Sequence, residues 1–283
     1  MSQDSFPQAA PPSAGAWNRH CMPMVRSAGD FFRTHWDELR HGAAVVGTVI
    51  CVGAQPRYWV RTMRNLLARQ ILAIGVEPLG FVFVMAVFVG ISVVVQLSFW
   101  AGEAGQSQLL GPLLVAVVAR ELGPVLINLV VIVRSGSAMT TELGILKIDG
   151  EVRALEAQGG DPFLQLVVPR VLGVAVSTFC LTVVFILVAF ASGYVFAAWT
   201  GKGSRDLFLF ANTLSGAVQP KDVLNILAKT ILPALFASAS CCIGGLGVGE
   251  SVTDIPHATQ RALTRSVAGL FIISAIVSVL TYL

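Results

Sequence analysis

Two adjacent charged residues, Arg120 and Glu121, stand inside an apolar run that extends roughly from residue 109 to 133, and Leu122, Gly123 and Pro124 follow at once. They sit about ten residues from the outer start of that run, or about 15 Å along a helix. An ionised side chain at such depth is expensive in hydrocarbon and is ordinarily functional. A mutually neutralising pair is the simpler structural explanation. Neighbouring helical positions diverge by about 100°, however, so the two side chains need not satisfy one another. Pro124 frees a carbonyl one turn earlier, near Arg120, and Gly123 lets another backbone come close, which together suit a bend beside a cavity.

Groups for covalent chemistry are scarce. Gly244 to Ser251 (GGLGVGES) has the glycine spacing of a phosphate loop, but Glu250 stands where the phosphate-contacting lysine belongs, so the stretch reads as a glycine-rich helix end. None of the histidines His20, His35, His41 and His257 pairs with another ligand at metal spacing. The cysteines Cys21, Cys51, Cys180, Cys241 and Cys242 also lack metal-ligand spacing, and four of them lie in or beside apolar segments, where a thiol packs as a small hydrophobe. Arg134-Ser135-Gly136-Ser137 does not supply a nucleophile elbow. No catalytic residue, metal or cofactor is expected in this chain.

A second charged feature is the stretch from Thr141 to Pro162 (TELGILKIDGEVRALEAQGGDP), in which Gly150 precedes a short helical run and Gly159-Gly160-Asp161-Pro162 ends it. A short helix between two long spans is either a connector or a docking element. Composition leaves that choice open.

The elements that must position these groups belong to a membrane. The 283 residues are 55% hydrophobic and 12% charged, with a mean hydropathy of +0.75, too apolar for a soluble surface. The net charge of +3 does not imply nucleic-acid binding. Apolar segments fall roughly at 71–100, 109–133, 163–200, 223–248 and 266–283, each able to cross a hydrocarbon core of about 30 Å. The expected fold is an all-α integral membrane protein with about five transmembrane helices preceded by amphipathic interfacial helices.

Residues 1–16 are polar and rich in Pro and Ala, read as a disordered tail without a cleavable signal peptide. Residues 17–72 mix Arg19, Arg26, Arg33, Arg40, Arg57, Arg61, Arg64 and Arg69 with Phe31, Phe32, Trp36, Tyr58 and Trp59, which suits a helix in the headgroup plane or one packed on other protein. Residues 73–283 form the transmembrane domain. The connection near 101–108 has no Lys or Arg, whereas 134–170 carries Arg134, Lys147, Arg153 and Arg170, and 249–265 carries Arg261 and Arg265. That bias puts the N-terminus and those two loops inside; Lys202, Arg205 and Lys221 weaken it at 201–222, but the alternation of five spans leaves that loop and the C-terminus outside.

From Arg120 to Arg170 the residues run RELGPVL, then R-x-G-S-A-x-x-x-E-L-G at Arg134 to Gly144, K-x-x-x-E-x-x-A-L-E at Lys147 to Glu156, Asp161-Pro162, and VVPR at Val167 to Arg170. This ordered series resembles the MlaE/YrbE-type permease family of ATP-binding-cassette lipid transporters, and the likeness covers about residues 25–283. Two departures bear on partner contacts. The family's E-G-V-G-x-A-T loop reads here as Glu250 to Thr259 (ESVTDIPHAT), and Gly150 and Arg153 replace polar or acidic residues.

The resemblance implies a homodimeric permease of the bacterial inner membrane that moves phospholipid and maintains outer-membrane lipid asymmetry. ATP would be bound and hydrolysed by a separate MlaF-like ABC ATPase subunit, with an MlaD-like MCE-domain protein outside and room for an MlaB-like STAS-domain protein. It places Arg120, Glu121 and Leu122 at the lipid cavity, and Arg120 can hold a lipid phosphate by charge-assisted hydrogen bonds. It also makes the stretch near 148–160 a coupling helix, with Glu151, Ala154, Leu155, Glu156, Asp161 and Pro162 toward the ATPase. A proton-coupled secondary transporter, with Glu121 as proton relay, is the rival; it requires no ATPase and usually shows internal repeats, which are not evident here.

Overall fold

Among the described residues, proline and glycine mark several of the helix ends. The computed structural model describes residues 44–49, 51, 61–103, 113–199, 216, 219–249 and 251–282. All lie within one unit, residues 42–283. The tail at 1–16 and most of the interfacial region 17–72 fall outside the described residues.

Among the described residues the protein is all-helical, and five helices are long and apolar enough to cross a membrane. After α1 (Arg61–Gly75) come the spans α2 (Leu79–Glu103) and α3 (Val115–Ile148), the short α4 (Glu151–Ala157), and the spans α5 (Phe163–Trp199), α6 (Pro220–Leu246) and α7 (Ile255–Tyr282).

Helix α1 turns Leu67, Gln70, Ile71 and Ile74 inward while Arg64 and Arg69 stay exposed, the three- and four-residue spacing of an amphipathic helix. It packs on α5, where Gln70 lies against Gly173 and the Ser177 hydroxyl donates to the Ile71 carbonyl at 3.2 Å. The chain then turns through Val76, Glu77 and Pro78, so the first span begins at Leu79 rather than near 71.

Helix α3 is where sequence and structure differ most. Its apolar run was expected to end near 133, yet the helix continues to Ile148. The charges that interrupt the run are each satisfied. Arg134 pairs with Glu77 at 3.0 Å, Glu142 accepts from Arg170 at 3.1 Å, and Lys147 donates to the Val248 carbonyl at 2.6 Å beyond the C-terminal end of α6. Two stretches of α3, Val115–Leu122 and Ile132–Gly136, are wound as π-helix, as is Phe163–Val167 at the start of α5. Helix α7 begins at Ile255, ahead of the expected 266, because its first turns are amphipathic: Ile255, Ala262 and Ser266 are buried while Gln260 and Arg261 are exposed.

Lipid offers no hydrophobic drive for helix association, so close packing and polar contacts hold the bundle together. Val82, Ala86, Gly90 and Val94 form a ridge of four-residue spacing on α2 that meets Phe185, Ala189 and Gly193 on α5. A methyl group on Gly90 would run into the Ala189 carbonyl, so the two backbones approach as closely as glycine allows. Helices α6 and α7 are joined by Ser266, whose hydroxyl donates to the Ala237 carbonyl at 3.2 Å.

Candidate functional site

The start of α6 is fixed locally. Gln219 and Asp222 form a reciprocal capping box around Pro220 at the first helical position, with the Gln219 backbone N–H donating to Asp222 Oδ2 at 2.8 Å. From this cap Asp222, Asn225 and Lys229 follow at three- and four-residue spacing, so they share one face, and all three are buried. That face meets the π-helical turn of α3 that carries Arg120 and Glu121.

Two crossed ion pairs result. Arg120 Nη2 donates to Asp222 Oδ2 at 2.9 Å, and Nε lies 2.8 Å from Oδ1 without the alignment of a hydrogen bond. About two turns further along α6, Lys229 Nζ donates to Glu121 Oε1 at 2.6 Å and to the Arg120 carbonyl at 3.3 Å. The two adjacent charges of α3 therefore do not neutralise each other; each finds an opposite charge on α6. Ser278 of α7 adds a hydroxyl to Glu121 Oε1 at 3.2 Å, and Thr281 Oγ1 donates to Asn225 Oδ1 at 3.5 Å.

Exposure differs sharply within each pair. The Asp222 side chain is 2% exposed and that of Arg120 23%, while Lys229 is fully buried and Glu121 is 50% exposed. The site thus presents a half-open carboxylate and part of a guanidinium, with their counter-charges sealed behind them. Leu122 is half-buried and ends the same π-helical turn.

The second group of expected residues lies elsewhere. Helix α4 starts after Gly150 at φ 77° and is followed by Gly159 at φ 78°, both left-handed positions suited to glycine. Glu151, Ala154 and Glu156 are exposed and Leu155 is half-buried, its carbonyl accepting from the Gly160 N–H at 3.0 Å. Asp161 Oδ1 accepts from the Phe163 N–H at 2.9 Å, and Pro162 precedes the first turn of α5. From Arg120 to Ile148 the helix α3 runs for about 40 Å, so the charged cluster and α4 lie toward opposite ends of the bundle. Among the described residues no cluster of His, Cys, Asp and Glu could hold a metal ion.

The sequence model of the family described as Permease MlaE matches residues 67–280. The chain belongs to the MlaE permease family. Among its relatives, the intermembrane phospholipid transport system permease protein MlaE of Haemophilus influenzae is 28% identical over 87% of this chain and 93% of its own. The chloroplastic protein TRIGALACTOSYLDIACYLGLYCEROL 1 of Arabidopsis thaliana is 26% identical over 76% of this chain, and the match spans 61% of the plant protein. A probable ABC transporter permease protein of Synechocystis is 28% identical over 74% of this chain and 78% of its own. This MlaE-family protein is accordingly a multi-pass ABC-type permease.

In this MlaE-family permease, the sequence singles out Arg120 and Glu121 but not the residues of α6 that face them, Asp222, Asn225 and Lys229. Lys229 carried the same signal, an ionisable residue within an apolar segment. Asp222 was hidden because the charged residues around it read as a loop at 201–222. Looking for opposite charges at helical spacing on one face of another span would have paired Asp222 and Lys229 with Arg120 and Glu121.

Proposed function

We propose that this permease moves phospholipid between the bacterial inner membrane and a periplasmic MCE-domain partner, driven by ATP hydrolysis in a separate ATPase subunit. The observation that carries this reading is the half-open Glu121 and Arg120 cluster within membrane-spanning helices, backed by the sealed counter-charges Lys229 and Asp222. A half-exposed carboxylate on a membrane-spanning helix is costly against acyl chains and is better served by a polar cavity or a second protein surface. A homodimer supplies both when two copies of the cluster face one shared cavity. There the partly exposed guanidinium of Arg120 meets a lipid phosphate, Glu121 keeps the headgroup from binding too tightly, and Leu122 meets the acyl chains.

Helix α4 suits the role of coupling element. It exposes Glu151, Ala154 and Glu156, and glycines at both ends set its direction. Closure of the ATPase pair would press on α4, and the continuous α3 carries that displacement toward the cluster.

The test is reconstitution of the permease with its ATPase and MCE partners in proteoliposomes, followed by ATP-dependent transfer of a labelled phospholipid to acceptor vesicles. Transfer that requires ATP and falls when Arg120 and Glu121 are both replaced by Ala supports the reading. Transport that ignores ATP and follows a proton gradient replaces it with a secondary carrier.

A further inference from the structure

Helices α3 and α6 each contain a proline, and each repairs the other's. Pro124 has no N–H to give to the Arg120 carbonyl, and Lys229 of α6 donates to that carbonyl at 3.3 Å. Pro233 inside α6 likewise has none for the Lys229 carbonyl. That carbonyl accepts at 3.3 Å from Asn128 Nδ2 of α3, which also reaches the Thr230 carbonyl at 3.4 Å and the Pro124 carbonyl at 2.8 Å. Three surrounding carbonyls fix which end of the amide points inward, since Oδ1 there would meet only acceptors. Asn128 is 1% exposed, and Oδ1 has no hydrogen-bond partner in the protein, so the residue acts purely as a donor.

This arrangement is more than helix repair, because Lys229 belongs to both halves. Its carbonyl is held by Asn128, while its ammonium is held by Glu121 and the Arg120 carbonyl. We propose that Asn128 is a positioning residue: by supplying the donor that Pro233 lacks, it fixes the turn of α6 from which Lys229 engages Glu121, and so sets how far the Glu121 carboxylate is available to a headgroup. In a membrane a freed carbonyl must find a donor from a neighbouring helix, and loss of that donor lets the turn unwind or rotate. The transport consequence rests on the function proposed above; the clasp itself does not.

The proline makes the idea testable by suppression. Asn128→Leu keeps the volume and removes the donor. Pro233→Ala restores a backbone N–H that bonds the Lys229 carbonyl from within α6, which makes Asn128 dispensable. The four forms (wild type, Asn128→Leu, Pro233→Ala and the double variant) are compared in the reconstituted complex by lipid transfer and, as purified permease, by thermal unfolding in detergent. Asn128→Leu is expected to lower transfer about threefold, the scale of one interhelical hydrogen bond in a membrane, and to lower the unfolding midpoint. The double variant should recover both.

A double variant as impaired as Asn128→Leu, in stability and in transfer, overturns the clasp. Recovery of stability without recovery of transfer, when the wild type transfers lipid, overturns the positioning role. If Asn128→Leu fails to accumulate, accumulation becomes the readout, and failure of Pro233→Ala to restore it overturns the clasp. A wild-type complex that moves no lipid while the unfolding pattern is still suppressed refutes the proposed function and leaves the clasp standing.

Discussion

At the scale of single residues, the site is defined by unequal burial of opposite charges. Asp222 is sealed while Arg120 keeps an opening, so the two members of that pair should not be equivalent to mutation. Arg120→Met strands a carboxylate that water cannot reach, at a cost of about 3 kcal/mol or more. Asp222→Asn is milder: the amide oxygen can still accept from the Gln219 N–H, and Arg120 can extend toward its open side. The combination Arg120→Met with Asp222→Asn removes both charges of this pair, so no unpaired carboxylate is left buried, and it should regain most of the lost stability while lipid transfer stays low. Thermal unfolding and the transfer assay on the three variants check this. Normal transfer by the double variant would make the pair structural only. The sequence made one side of this arrangement legible, because Arg120 and Glu121 interrupt an apolar run. It hid the other side, since Asp222 and Lys229 lie about a hundred positions away and nothing local to Arg120 points to them.

At the scale of elements, glycine performs two separate tasks, and substitutions should separate them. Gly150 holds a left-handed conformation that costs another residue about 1–2 kcal/mol. Because α4 buries no side chain, Gly150→Ala should leave the unfolding midpoint of the isolated permease nearly unchanged and instead weaken co-purification of the ATPase subunit. Gly90→Ala should do the reverse, since its methyl group collides with the Ala189 backbone and forces α2 off α5. An unfolding scan and a pull-down on the two variants distinguish the tasks. The short α4 was readable from Gly150 and from Gly159-Gly160-Asp161-Pro162 as start and stop signals. The continuation of α3 past 133 was not, because hydropathy counts Arg134, Glu142 and Lys147 as breaks, whereas the fold satisfies each of them with a partner supplied by another element.

For the whole molecule, the question is which end of the bundle faces the cell interior. Five spans put α4 and the Val252–Asp254 turn at one end and the start of α6, with its Asp222 cap, toward the other. Arg153 lies in α4 itself, and Lys147, Arg261 and Arg265 lie in the helices that lead to that same end. The excess of positive charge argues that this end is cytoplasmic. The crossed ion pairs then fall toward the periplasmic half, where a lipid would be handed over. The expectation can be checked with the native cysteines replaced, a single Ala157→Cys in exposed α4, and a protease-cleavable tag after Leu283. A membrane-impermeant maleimide added to spheroplasts should label residue 157 only after permeabilisation, while external protease should remove the tag from intact spheroplasts. The opposite pattern would place the ion pairs near the cytoplasmic leaflet. That would separate the cluster from any periplasmic partner and leave α4 where no ATPase could reach it, so the proposed route would fail on geometry alone.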